Sequence, residues 1–251
     1  NYASLDGSTL LLGAIYFSIQ IYGDFSGYSD IAIGVSKLFG FEIRSNFKFP
    51  YFSRSIAEFW QRWHISLSSW FRDYLYIPLG GSRSGKLKAI RNVFIVFVIS
   101  GLWHGANLTF LAWGGIHAAL YLPLFIIGRT KQYNIDTKQA EPAFRLLDIL
   151  KMIGCFLIVT LAWVFFRSPD INTAIHYLYI LATDNNLKPE YTNGLGAVVA
   201  LLALDWSVRK NERDIQFSSK RWVRTVIYLI MAALIYQGLF SNEAEFIYFQ
   251  F

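Results

Sequence analysis

Apolar stretches suited to crossing a lipid bilayer recur along the chain, and polar segments separate them. A helix needs roughly 17 to 25 apolar residues to span the hydrocarbon core. The pattern predicts spans at 9–22, 23–41, 91–104, 108–128, 147–166, 195–208 and 222–240. The stretch 171–182 is short and amphipathic, which favours a helix at the membrane interface. The chain is therefore expected to be an all-α, polytopic integral membrane protein.

Composition and charge support this expectation. Of 251 residues, 54% are hydrophobic and 16% are charged, whereas about a quarter are charged in a typical soluble domain. The net charge is +6, and lysine and arginine concentrate in the connections 44–88, 129–151 and 209–224. Such loops face the cytoplasm under the positive-inside rule. The basic charge therefore indicates cytoplasmic loops and not a nucleic-acid partner.

One histidine lies in an unexpected place. The stretch FIVFVISGLWHGANLTFLAWG, residues 94–114, is nearly all apolar, yet it contains His104. An ionisable side chain inside a membrane is costly and usually marks a functional site. From Arg91 to Gly101 is ten residues, or about 15 Å of helix, half of a roughly 30 Å hydrocarbon core. His104 is therefore expected near the midplane, where Gly101 and Gly105 allow a helix break or close helix packing.

A second histidine lies in FWQRWHISLSSWFRDYLYIPLGGSRSG, residues 59–85. Helical spacing would place Trp60 and His64 on one face. One interpretation is an amphipathic helix at headgroup depth, with aromatic rings at the interface and arginines reaching water. The other is that His64 and His104 converge on one cavity. His117 is interpreted as a packing histidine, and His176 as interfacial.

Other polar features are less specific. The run from Asp24 to Asp30 opens a span, and its carboxylates either pair with other groups or line a cavity. Cys155 is the only cysteine and has no metal-ligand spacing around it, so a core or lipid-facing position is expected. The PLGGSRSGK segment lacks the ending of a phosphate-binding loop and predicts a tight basic turn. No metal site is predicted.

Four segments together carry a family resemblance: DFSGYSDIAIG, FWQRWHISLSSWFRDYLYIPLGGSR, GLWHGANLTFLAWGGIH and the closing FIYFQF. They resemble the membrane-bound O-acyltransferase family, and within it the branch of alginate O-acetyltransferases, which acetylate exported polysaccharides. The resemblance implies a helical membrane protein with a tunnel through its middle. It also implies that His104 is catalytic and that His64 is the second residue tied to activity.

The resemblance has further implications. It implies acetyl-CoA as the cytoplasmic acetyl donor, extracytoplasmic acetyltransferase partner proteins, a polysaccharide synthesis and export complex, and a place in the bacterial cytoplasmic (inner) membrane. Family members are nearly twice as long, so residues 1–251 are expected to be the C-terminal part of a single transmembrane domain, truncated at the N-terminus. Ala118 follows His117 where the family often has glycine, a small packing difference.

The predicted function is transfer of an acetyl group toward hydroxyls of an exported polysaccharide or cell-envelope glycan. His104 would accept the proton of the attacking hydroxyl, and His64 would assist. The residues predicted to line the site are Trp103, Asn107, Trp60, Asp73 and Asp30. Three alternatives stay open at this point: D-alanyl transfer to teichoic acids, a transporter or channel with a histidine proton relay, and a non-catalytic assembly scaffold.

Overall fold

The computed structural model describes residues 2–130, 145–184, 186, 191–209 and 220–240, and the regular structure within these ranges is helical. The prediction of an all-α fold is confirmed. Residues 1–195 form one compact unit and residues 196–251 another. The main helices are α1 (Gly7–Leu38), α2 (Ile56–Arg62), α3 (Ile65–Phe71), α4 (Lys86–His104), α5 (Leu108–Ile126), α6 (Leu146–Arg167), α7 (Ile171–Thr183), α8 (Leu195–Val208) and α9 (Arg221–Phe240).

Three of the described helices are long and apolar enough to cross a membrane: α4, α5 and α6. They correspond to the predicted spans 91–104, 108–128 and 147–166, and α4 begins five residues earlier than predicted, at Lys86. The remaining predicted spans also lie on helices. In the second unit, α8 is apolar but shorter, and α9 covers the predicted 222–240.

The predicted connection at Gly23 is wrong. Residues 7–38 form one helix of 32 residues, about 48 Å long at 1.5 Å per residue. A glycine inside a helix costs only about 1 kcal/mol, and burial of Ile21, Tyr22 and Phe25 on one side of α1 offsets that cost. Because the chain does not turn at Gly23, the predicted spans 9–22 and 23–41 are parts of one continuous helix.

Helices α4 and α5 form a closely packed hairpin. A Cβ atom added at Gly101 would meet the backbone of Phe110, and one added at Gly114 would meet the backbone of Phe97. The small residues thus let the two backbones approach, as is common between membrane helices. Asn107 caps the start of α5, since its side-chain oxygen accepts a hydrogen bond from the Thr109 amide at 3.1 Å.

His104 is the last residue of α4. Helix α4 begins at Lys86 and ends at His104, so the histidine lies about 27 Å along the helix axis, close to the roughly 30 Å thickness of a hydrocarbon core. The predicted midplane depth of His104 stays a prediction, because the helix bounds alone do not place the membrane boundary. The same end of the bundle carries the α6–α7 turn, since the Asn107 amide donates to the Pro169 carbonyl at 2.8 Å.

Residues 50–64 enter the middle of the helix bundle. The Tyr51 ring packs on Phe156 at 5.0 Å, and the Trp60 ring packs on Phe97 at 5.4 Å and on His117 at 5.0 Å. These three partners lie about halfway along α6, α4 and α5. The interpretation of residues 59–85 as one amphipathic helix at headgroup depth therefore fails for its start, residues 59–64, and stays a prediction for the rest. We call residues 50–64 the inserted segment.

The inserted segment does not form one helix with the residues that follow. Helix α2 ends at Arg62, and His64 adopts a left-handed backbone conformation with φ of 45° before α3 begins. The predicted shared face of Trp60 and His64 is therefore wrong. The break directs the Trp60 ring toward His117, whereas the His64 ring packs on Phe25.

Helix α7 confirms the predicted helix at 171–182 and packs on the start of α1. The Tyr177 hydroxyl donates to the Leu10 carbonyl at 2.6 Å. Asp170 caps α7 by accepting from the Thr173 amide at 2.9 Å. The hydrogen bonds that the Thr173 amide and hydroxyl donate to it lower the pKa of the Asp170 carboxyl. The predicted basic turn is confirmed too: residues 77–84 turn before α4, with Gly80 and Gly81 at positive φ.

Candidate active site

The two candidate catalytic histidines lie next to the same tryptophan. The centroid of the Trp103 ring is 4.9 Å from that of His104 and 6.1 Å from that of His64, with near-perpendicular planes in both cases. The structure therefore brings together three residues that the sequence places on two separate segments.

Aromatic rings fix the position of His104. Its ring lies edge-to-face with Trp113 at 5.4 Å and with Phe166 at 5.0 Å, and Phe110 lies at 6.4 Å. These neighbours come from α5 and the end of α6, so His104 at the end of α4 lies where three helices meet. Within the described part of the chain, the ring contacts of His104 are with aromatic side chains, and its nitrogens are candidates for contact with a substrate.

His64 is held differently, by the break between α2 and α3. The side chain is buried and lies edge-to-face with Phe25 of α1 at 4.6 Å. Its Nδ1 atom is buried without a hydrogen-bond partner in the described part of the chain. Buried polar atoms normally have a partner, so this nitrogen is a candidate for contact with a bound substrate or water.

His117 lies in a separate cluster of aromatic side chains next to the site. It is fully buried, and its Nδ1 accepts a hydrogen bond from Trp60 Nε1 at 3.3 Å. Its ring also packs on Trp113 at 4.8 Å, and Trp113 in turn contacts His104. This burial agrees with the interpretation of His117 as a packing histidine. The predicted lining residue Trp60 lies in this cluster and contacts His117 directly.

The other predicted lining residues have different surroundings. The side-chain oxygen of Asn107 caps α5 by accepting from the Thr109 amide, and its side-chain nitrogen donates to the Pro169 carbonyl. Asp73 is exposed and pairs with Arg72 at 2.8 Å, and Asp30 is exposed on α1. These contacts leave their place in the lining of the site a prediction. Within the described ranges, no cluster of three or more His, Cys, Asp or Glu side chains is placed to hold a metal ion.

A buried charge cluster in the inserted segment was not predicted. Glu58 is only 1% exposed, and its carboxylate accepts from Arg54 Nε at 3.2 Å and from Arg62 Nη2 at 2.9 Å. Arg62 also donates to the Lys48 carbonyl at 2.9 Å. The signal in the sequence is the spacing RSIAEFWQR, with an arginine four residues before and four after the glutamate, which places the three on one helical face. The cluster fixes α2, and thereby His64, inside the bundle.

The fold and the site thus define a class: a helical membrane protein with two histidines close to one tryptophan among its helices. The sequence profile of the membrane-bound O-acyltransferase family, MBOAT, matches residues 9–167. The chain belongs to this family, and the prediction made from its motifs is confirmed. The matched range contains both histidines and Trp103.

Individual relatives refine the comparison. The chain is 47% identical over 163 residues to a protein of Pseudomonas syringae pv. tomato described as "probable alginate O-acetylase AlgI", covering 65% of this chain and 29% of that protein. It is 31% identical over 263 residues to the peptidoglycan O-acetyltransferase of Helicobacter pylori, covering 95% of this chain and 48% of that protein. It is 37% identical over 111 residues to the teichoic acid D-alanyltransferase of Bacillus subtilis, covering 41% of this chain and 28% of that protein.

The matches cover only part of each relative. The chain spans less than half the length of each of the three relatives. Two of the three are named for O-acetylation, one of alginate and one of peptidoglycan, and the third for D-alanyl transfer to teichoic acid. All three names describe acyl transfer.

Proposed function

We propose that this protein is a membrane O-acetyltransferase that moves acetyl groups toward hydroxyls of an exported polysaccharide or cell-envelope glycan. The observation that carries the proposal is the meeting of His64 and His104 beside Trp103. A pair of imidazoles in an aromatic enclosure suits proton transfer between neutral reactants, because neither an alcohol nor a thioester brings a charge into the bundle. The relatives named for acetyl transfer support the choice of acyl group.

In the proposed reaction, neutral His104 accepts the proton of an acceptor hydroxyl. The hydroxyl oxygen forms a bond to the carbonyl carbon of an acetyl thioester, the carbon–sulfur bond breaks, and the thiolate takes up the proton. The products are an acetyl ester and a free thiol, with acetyl-CoA as the proposed donor. Positioned general-base catalysis contributes typically about 10²–10⁴-fold. His64 orients the donor or the hydroxyl through its unpartnered Nδ1.

The proposal includes location and partners. The protein crosses the cytoplasmic (inner) membrane of a bacterium several times, with the donor reached from the cytoplasm. Extracytoplasmic acetyltransferase proteins and a polysaccharide synthesis and export complex complete transfer to the polymer. The predicted lining residues Trp103, Asn107, Trp60, Asp73 and Asp30 are part of the same proposal, and Trp103 has the strongest support because it contacts both histidines.

The test is labelled acetyl transfer by the complete protein in membranes, comparing wild type with His104→Gln. Glutamine preserves much of the size and hydrogen bonding of histidine, so the variant is expected to insert normally. Transfer is expected to fall by about 10²-fold or more, the loss of a general base. His64→Gln is expected to lose less activity than His104→Gln, and His117→Gln is expected to lose little. Near wild-type transfer by His104→Gln would refute the proposed role.

D-alanyl transfer is the second candidate, favoured by the 37% identity to the Bacillus subtilis enzyme over 111 residues. The two candidates differ in the donor. Membranes containing the complete protein are supplied either with labelled acetyl-CoA or with a carrier protein charged with labelled D-alanine. If label reaches the polymer only from the charged carrier protein, the function is D-alanyl transfer and the proposal of acetyl transfer fails.

A further inference from the structure

Helix α3 begins without a capping side chain of its own. The start of a helix leaves backbone amides without partners, and the residue before the helix commonly supplies a Ser, Thr, Asp or Asn oxygen to them. Before α3 that residue is His64, whose backbone is left-handed and whose side chain makes no capping hydrogen bond. The first amides of α3 therefore depend on acceptors from another part of the chain.

Asn46, in the connection before the inserted segment, supplies these acceptors. Its backbone carbonyl accepts from the Ile65 amide at 3.0 Å, and its side-chain oxygen accepts from the Ser66 amide at 3.0 Å. Ile65 and Ser66 are the first two residues of α3. The side-chain nitrogen of Asn46 donates to the Ser29 hydroxyl of α1 at 3.4 Å, so the amide oxygen is the end that faces α3. Asn46 thus does for α3 what a capping asparagine at the position before the helix would do.

The residues that follow Asn46 hold the other side of the break. The Lys48 amide donates to the Arg62 carbonyl at 3.0 Å, and Arg62 Nη1 donates to the Lys48 carbonyl at 2.9 Å. Between them, the Phe47 ring packs edge-to-face on Trp63 at 5.0 Å. A residue other than glycine at positive φ persists only when its surroundings hold it there. These contacts hold the chain on both sides of the left-handed residue.

We infer that Asn46 is a positioning residue of the site: its side chain caps α3 in place of His64 and so leaves the His64 imidazole to the substrate. The inference rests on the role of His64 in the proposed function. The ring contacts show the result, since the imidazole lies against Phe25 and beside Trp103. Its Nδ1 atom is buried and has no hydrogen-bond partner among the residues that the structure describes. Loss of the Asn46 side-chain oxygen would leave the Ser66 amide without this acceptor and weaken the hold on the left-handed backbone of His64.

The experiment compares acetyl transfer by the complete protein in membranes for single and double variants. Asn46→Ala removes the capping oxygen and keeps the backbone carbonyl. It is expected to lower kcat about fivefold, the factor by which a typical cap shifts an equilibrium between two conformations. In the His64→Gln background the same change is expected to leave kcat almost unaltered, because the imidazole that Asn46 positions is already absent. Asn46→Asp keeps a capping oxygen at a helix start, where negative charge is favourable, and is expected to retain near wild-type transfer.

Two further measurements separate this role from a general effect on stability. Asp6→Ala removes the cap of α1, in which Asp6 accepts from the Thr9 amide at 3.0 Å. It is expected to lower the unfolding temperature at least as much as Asn46→Ala does, without lowering kcat. Hydrogen exchange of the Ser66 amide is expected to become faster in Asn46→Ala and to stay slow in Asn46→Asp, which reports the cap without turnover. Asn46→Leu, which keeps the size of the side chain, replaces Asn46→Ala in both comparisons if the alanine variant does not accumulate.

The outcomes distinguish the positioning role from the chemistry. An equal loss of kcat in the wild-type and His64→Gln backgrounds would show that Asn46 does not act through His64, and the inference would fail. Unchanged Ser66 exchange or wild-type transfer in Asn46→Ala would overturn it too, as would transfer by Asn46→Asp as low as that of Asn46→Ala. A complete wild-type protein that transfers no acetyl group from acetyl-CoA would instead refute the proposed function, while Ser66 exchange would still decide whether Asn46 caps α3.

Discussion

Replacing Gly114 by alanine tests whether the α4–α5 hairpin positions the candidate base. A Cβ atom at Gly114 would lie 3.1 Å from the carbonyl carbon of Phe97 on α4 and closer still to its oxygen. Comfortable contacts between carbon atoms are about 3.5–4.0 Å. The two helices must therefore separate locally by roughly 0.5–1 Å to accept one methyl group.

The expected loss of activity is larger than the expected loss of stability. Overpacking costs typically about 1–3 kcal/mol, and replacing a helical glycine by alanine returns up to about 1 kcal/mol. Phe97 lies on α4 two turns before His104, so a displaced α4 moves the imidazole. A misplacement of about 1 Å can lower the rate of a positioned reaction about 10²-fold. Gly114→Ala is therefore expected to fold and insert, and to transfer acetyl groups about 10²-fold more slowly.

Gly115 provides the matched control on the same helix. A Cβ atom there meets nothing within 4 Å, so Gly115→Ala gains helix propensity, up to about 1 kcal/mol, without a clash. The assay compares thermal unfolding in detergent and labelled acetyl transfer for wild type, Gly114→Ala and Gly115→Ala. Gly114→Ala with wild-type activity would show that the close approach of α4 and α5 does not place His104, and the reasoning would fail.

Three further predictions follow from other parts of the fold. Glu58→Gln leaves two partly buried arginines, 13% and 15% exposed, without their carboxylate and is expected to destabilise the protein by up to about 3–5 kcal/mol, measured by thermal unfolding, with the exposed Glu42→Gln unchanged. Lys88 lies in the first turn of α4, at the end of the basic region 44–88, so Lys88→Cys is expected to resist an impermeant thiol reagent added outside intact cells; labelling there would reverse the orientation. Hydrogen bonds lower the pKa of Asp170 in the folded state. The stability that its cap contributes is therefore present above the unfolded pKa and is lost as pH falls through the folded pKa. Protection of the Thr173 amide against hydrogen exchange is expected to disappear only below the unfolded pKa of the carboxyl.

The membrane helices are the part of the fold that sequence patterns predict best. Apolar runs between basic connections place α4, α5 and α6 within a few residues of their observed bounds, because length and hydropathy alone decide whether a helix can cross a bilayer. Prediction fails at α1, where Gly23 and Asp24 resemble a connection. A pattern along the chain does not show that neighbouring residues of the same helix are buried against other elements, and that burial keeps α1 continuous.

The inserted segment could not be placed from composition. A mixture of tryptophan, arginine and glutamate is typical of an interface, where each charge reaches water. The same mixture is tolerated inside a bundle when the charges satisfy one another, as Arg54, Glu58 and Arg62 do. The spacing of those three residues was the available signal. It predicts a charge cluster on one helical face, but not the depth at which that face lies.

The candidate site depends on a break that helical periodicity does not predict. If α2 continued through residue 64, His64 would share the face of Trp60, whose ring lies against His117 in the middle of the bundle. Trp63 follows α2 in an extended conformation, and His64 then adopts a left-handed conformation, with φ of 45°, which turns the imidazole away from that face. Histidine is among the few residues other than glycine that are enriched in this conformation. The second break, after His104, ends α4 at the same place. The two imidazoles meet at Trp103 because both helices stop there, and two continuous helices of the same sequence would keep them apart.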